Sequence, residues 1–396
     1  MAQVILNGGA RILPTGVPKN VEARRDLGVI LHELENLHRK FIGTGYNPPL
    51  LKELFEIINP LQEKYQKVLR ACSNAIEEKI EQEGLDEDQY WPVMAFLSRA
   101  SDAHTIFPFT KYLGRIVKLD PSDERFREDW EFTELRLGEA VQTCKSYIAL
   151  VSESMNLEPE RVHLSSLVNQ VFHIARERAR MGSEYIDVKE FIRIGKEISE
   201  KGRSGDKRKT IDDYEEMTTE KARWAKMWAY NKKTYFQSVP TTEFSGHIFG
   251  FSPLVFFLVE NVIGNHFKAA HQLYFRETIV NHKDPGYKNP EVTCRVMSYG
   301  DHHVAIESTD NGIGIPKSTF HRLFKRPTEF DYDLTYGHIV GGNGVTTWTF
   351  PLVCDLLNAS IIAESLGKFQ GSKFTIILPR DSENPQPIPE KVYITQ

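Results

Sequence analysis

Apolar residues recur every three or four positions through most of the first 155 residues, a spacing that predicts amphipathic helices. Four segments carry it: Arg24–Phe41, Leu50–Gln82, Gln89–Lys118 and Glu124–Ser154. In the last of them the stripe is Phe126, Trp130, Leu137, Val141, Cys144, Ile148 and Val151. The breaks between segments are turn chemistry: "GTGYNPP" from Gly43, "EGLDED" from Glu83 and "LDPSD" from Leu119. This predicts two helical hairpins, 22–83 and 89–155, forming a bundle over 1–160. A further helix is expected from Ser165 to Met181, followed by a highly charged, weakly patterned insertion at about 183–235.

Beyond Lys233 the period changes. "TYFQSV" suggests a strand, "FSPLVFFLVENVIGNHFKAAHQLYF" a long helix, and "EVTCRVMS" with "HVAIEST" a strand pair. A helix over Val345–Leu357 and a closing pair, "SIIAES" and "SKFTIILP", complete the pattern. The predicted fold class is an all-α bundle followed by an α/β two-layer sandwich occupying 161–396.

Composition and charge remove several function classes. A net charge of −5 over 396 residues gives no basic face for nucleic acid, and the one basic run, Arg203–Lys209, reads as a solvated loop. The four cysteines, Cys72, Cys144, Cys294 and Cys354, lie far apart without CxxC spacing, against a zinc site or a disulfide framework. No apolar run approaches the roughly 18 residues of a membrane span, and no signal-peptide pattern is seen, so a cytoplasmic location is expected. The His302–His303 pair lacks metal-type spacing and reads as surface.

Candidate chemistry concentrates in the second half. The helix opening at Ser252, with Pro253 in its first turn, places Asn261, Asn265 and Lys268 on one side, beside an apolar stripe. Those amides could cap a neighbouring loop or meet a ligand. In "TDNGIGIP", Asp310 ends a strand, where a carboxylate can accept from an exocyclic amine. Gly312 and Gly314 leave room for a flat ring against backbone, or allow positive φ. A second glycine cluster, "GHIVGGNG", precedes a helix, whose first amides can cradle phosphate. A third, "GKFQGSKFTIILP", lies between the closing strands.

In that order, Asn265, "DNGIGIP", "GGNG" and "GSKFT" resemble the N, G1, G2 and G3 boxes of the GHKL ATPase superfamily, most closely the catalytic domain of histidine kinases. "RLFKRP" at Arg322–Pro327 is similar to the F box, and the resemblance spans roughly 234–380. It implies an ATP site with magnesium. Asn265 would ligate Mg²⁺ through its amide oxygen, as suits a hard cation. Asn261 would belong to the same box, Lys268 would face the phosphates, and Asp310 would accept from the adenine amino group. Gly312 and Gly314 would wall the purine, Thr375 would touch it through water, and Gly342 and Gly344 would hold phosphate at the hinge of a lid over about 317–341. The expected third glycine of GxGxG is Thr346 here.

The same resemblance implies a dimerising hairpin with a phosphoaccepting histidine, and a response regulator as a separate partner chain. "HTIFPFTKYLG" is similar to the H-box tail, which nominates His104. Family spacing puts the histidine at Ala103, however, and the acidic residue that should follow is Thr105. "LHELENLHRKF" nominates His32 as a second acceptor, with Leu37 in place of proline; a surface or packed histidine is the competing reading. Two other functions stay open: a nucleotide-binding scaffold that does not phosphorylate itself, and a serine kinase similar to the mitochondrial dehydrogenase kinases. Against the latter, Asn261 stands where those enzymes have glutamate, and Glu260 falls on another face.

Overall fold

A computed structural model of the chain describes residues 2–7, 21–44, 48–84, 113, 116, 118–122, 124–151, 160–184, 240–244, 246–275, 290–315, 323–324, 345–367 and 369–381. In chain order the elements are β1 (Ala2–Asn7), α1 (Val21–Thr44), α2 (Pro48–Glu83), α3 (Glu124–Val151), β2 (Glu160–His163), α4 (Leu164–Glu184), β3 (Thr241–Thr242), β4 (His247–Gly250), α5 (Ser252–Phe275), β5 (Val292–Tyr299), β6 (His303–Asp310), α6 (Val345–Leu357), β7 (Ser360–Ser365) and β8 (Ser372–Pro379).

The helices follow their apolar periods. Leu27, Ile30, Leu34, Leu37 and Phe41 bury one face of α1, which packs on α2 and α3. Phe126, Leu137, Val141, Cys144 and Ile148 do the same for α3, and Trp130 stacks on Phe41 with centroids 4.2 Å apart. The charged middle, including 185–239, and the segment 85–112 that holds His104 lie outside the described residues.

Six strands form a mixed sheet in the order β1-β7-β8-β6-β5-β3, with β3 parallel to β5 and the other pairs antiparallel. Strands β2 and β4 make a separate antiparallel pair. Side chains alternate, so one face of the sheet carries Val292, Cys294, Val296, Val304, Ile306, Phe374, Ile376 and Leu378, all buried. Helix α5 packs on β5, β6 and β8, and also touches α3, α4 and α6. A helix in that position is covered all round: from Leu254 to Gly264 every residue of α5 is buried, the polar Glu260 and Asn261 included.

Two placements differ from the sequence pattern. Strand β1, which the pattern leaves inside the helical half, pairs along its whole length with β7, Asn7 opposite Ser360. His303, read as surface, is buried: it is the first residue of β6, opposite Pro379 and Tyr299, while His302 stays in the exposed turn. A period of two separates the neighbours onto opposite environments, which composition alone does not foretell.

Candidate nucleotide site

The site begins with α5. Its buried run opens at Asn265, Lys268 and Ala269, which are half-buried and lie three and four positions apart, on one stripe. Asn261, one turn earlier, is 3% exposed, and its amide nitrogen donates to the carbonyl of Phe257 at 2.7 Å. Its N–H is thus directed to its own helix. Asn265, by contrast, is half-buried.

Against that stripe folds the loop after β6. The amide of Ile313 donates to the carbonyl of Ala269 at 3.2 Å, and a Cβ on Gly312 would come within 2.2 Å of the Ala269 backbone. Gly314, at φ +65°, lies against the carbonyl of Gly367, which a Cβ would meet at 2.1 Å. In these contacts both glycines meet protein backbone, so the "NGIG" signal reports loop-on-helix and loop-on-loop packing at the site.

The loop before β8 closes the other side. Phe369 N–H donates to Ile313 O at 2.6 Å and Gly371 N–H to Gly312 O at 3.2 Å. Ser365, buried at the end of β7, ties both loops: its hydroxyl donates to Gly371 O at 2.9 Å and accepts from the amides of Ile315 and Gly367 at 3.0 and 3.2 Å. Nothing local in the sequence marks Ser365, because its role depends on two loops meeting.

At the centre of this frame is Asp310, the last residue of β6. Its Oδ1 accepts from the amide of Gly312 at 2.7 Å, an Asx-type turn that fixes the loop's first bend. Its Oδ2 accepts from the hydroxyl of Ser372 and lies by Nδ1 of His266, each at 2.5 Å. The side chains of His266 and Asp310 are 1% and 0% exposed. The ring of His266 stands edge-on to Phe374, 5.4 Å between centroids.

Neither His266 nor Ser372 is singled out by the sequence pattern. Ser372 is findable: it is the residue opposite Asp310 once β6 and β8 pair in register. Thr375, expected at the purine, is three residues along β8, an odd number, so it shares the opposite face of the sheet with its partners Glu307 and Ile362. The structure therefore brings Ser372, and not Thr375, to the carboxylate. His32 is exposed on α1. Gly342, Gly344 and nearly all of the expected lid lie outside the described residues; of the F-box-like segment, Leu323 and Phe324 are partly buried against the core. Among the described residues no group of three or more His, Cys, Asp or Glu side chains forms a metal cluster. The donor expected of a magnesium site is an amide oxygen, and the side chain of Asn265 carries one.

No family model matches the chain. Over 112 residues it is 29% identical to hybrid signal transduction histidine kinase D of Dictyostelium discoideum, a stretch that is 28% of this chain and 7% of that relative. Over that stretch the chain is similar to a histidine kinase. It spans only that small part of the curated relative's length. Among solved structures, the mycobacterial sensor histidine kinase MprB is 19% identical over 41% of this chain and 93% of that one, with a TM-score of 0.27. Full-length ShkA, solved in complex with AMPPNP, is 11% identical over 74% of this chain and 46% of that one, with a TM-score of 0.33. Among the described residues, no helix of the chain is long and apolar enough to cross a membrane.

Proposed function

We propose that the chain binds Mg·ATP between α5, the loop after β6 and the loop before β8, and acts as a histidine-kinase-like phosphotransferase in signalling. The observation that carries this reading is the Asp310 carboxylate, held by three donors at a strand end, beside a loop that folds onto Ala269, one helical turn from Asn265. Such a carboxylate suits an exocyclic amine at one end of the ligand. Asn265 offers an amide oxygen to magnesium, and Lys268 a cation to phosphate, at the other end. Bound Mg·ATP supplies the transferable phosphoryl group, and the chain's task is positioning and charge neutralisation. His104, with His32 as the second candidate, is the proposed acceptor, in a homodimer formed through the helical hairpins. A separate response regulator would then receive the phosphate on an aspartate.

Calorimetry with Mg·ADP tests the site. Wild type should bind, and Asp310→Asn and Asn265→Ala should each weaken binding by about tenfold or more, the worth of a charged hydrogen bond or a metal ligand. Absence of binding in wild type, or parental affinity in both variants, would end the reading. Incubation with γ-labelled ATP tests the acceptor: label that is acid-labile and absent from His104→Ala is expected.

A second reading is motivated by Thr105 and Ala103, which flank His104 where family chemistry expects other residues. It is a nucleotide-binding scaffold without autophosphorylation. Full Mg·ADP affinity with no acid-labile phosphate on any histidine is its signature.

A further inference from the structure

His266 is the side chain whose position the site above does not yet explain. It follows Asn265 on α5 but is turned inward, and its Nδ1 reaches Asp310 Oδ2 at 2.5 Å, both side chains being buried. The tautomer follows from the partner: an ionised carboxylate only accepts, so Nδ1 carries the hydrogen. The other ring nitrogen, Nε2, is buried and has no hydrogen-bond partner among the described residues. Phe374 holds the ring edge-on. The polar attachment of this imidazole is therefore to Asp310.

An ionised carboxylate has about four acceptor sites, two per oxygen. Oδ2 receives His266 Nδ1–H and Ser372 Oγ–H, which fills it. Oδ1 receives the Gly312 amide and keeps one acceptor site. We propose that His266 is a positioning and specificity-determining residue: by occupying Oδ2 from the helix side it fixes the rotation of the Asp310 carboxylate and leaves Oδ1 to read a single N–H of the ligand. The inference rests on the nucleotide reading above. It adds that selection of a 6-amino over a 6-oxo purine is set jointly by Asp310 and by a histidine that touches no ligand. Without the Nδ1–H donor, Oδ2 regains a free acceptor site, the carboxylate rotates about χ2, and the Oδ1 site is no longer held toward the base.

The test is a binding comparison of Mg·ADP with Mg·IDP, which differ in the 6-substituent, across four proteins. Asparagine places its amide N–H where Nδ1 stands; glutamine places one near Nε2 and none at Nδ1. Wild type and His266→Asn should prefer ADP by similar factors, within about threefold of each other. His266→Gln and His266→Ala should lose about tenfold in ADP affinity, with little change for IDP, so that discrimination collapses. Thermal unfolding verifies that each protein is folded, and if the alanine variant is not, the asparagine–glutamine pair decides. Parental discrimination in the glutamine variant overturns the proposal, as does an equal loss for both nucleotides in the asparagine and glutamine variants, the mark of a merely structural histidine. If wild type binds neither nucleotide, the nucleotide reading itself fails, and this inference fails with it.

Discussion

At the scale of single residues, the glycines separate backbone freedom from packing. Gly84 ends α2 at φ +60° with nothing within 4 Å of the place a Cβ would take, whereas at Gly371, φ +72°, a Cβ would meet Asp310 O at 2.1 Å. Alanine at position 84 should therefore cost about 1 kcal/mol, the left-handed term alone, and alanine at 371 about 3 kcal/mol or more. Urea denaturation of the two variants measures the difference. The same scale shows what is visible in the sequence. Asp310 and Asn265 stand out because a carboxylate before "NGIG" and an amide on an apolar helix are locally odd. His266 does not stand out, since nothing in its neighbours announces that it turns toward a strand forty-four positions later. The motif points to Thr375 rather than Ser372 because a motif gives a place in the chain, whereas the face of a strand depends on counting from its partner.

Elements are more legible than side chains. α1, α2, α3, α4, α5 and α6 begin and end within a few residues of their apolar periods, as do β5, β6, β7 and β8, because period and turn chemistry are local. The short β2 and β4, and β3 with two residues, are too brief for a period to register. At this scale Ser365 is the fastening between elements, joining the end of β7 to the loops after β6 and before β8. Ser365→Ala leaves the amides of Ile315 and Gly367 without that acceptor and should destabilise the protein by about 1–3 kcal/mol. Amide hydrogen exchange should rise at those two positions and stay parental in α1.

For the molecule as a whole, the buried residues of the helical half and of the sheet form one continuous apolar cluster, from Leu27 to Leu378, linked where α3 packs on α5. One cluster predicts one unfolding event. Cys144 sits in the helical half and Cys294 in the sheet, both fully or almost fully shielded, and burial pushes both thiols up to about 12; Cys354 in α6 is pushed up further by the same cause. Native alkylation at pH 8 should be slow and should proceed at one rate for Cys144 and Cys294 by mass spectrometry; a much faster Cys144 would mean that the helical half opens alone. Below the ordinary thiol value of 9.0 these groups are protonated in both states. Above it the unfolded chain alone ionises, so stability falls as pH rises, by about 1 kcal/mol per thiol at pH 10. The urea midpoint should drop between pH 8 and 10, and less so in Cys294→Ala. The pairing of β1 with β7 is illegible in the sequence because its partner lies at the far end of the chain. It also sets a timetable for biosynthesis: Asn7 leaves the ribosome long before Ser360 exists, so the strand must wait, unpaired, while nearly the whole chain is translated.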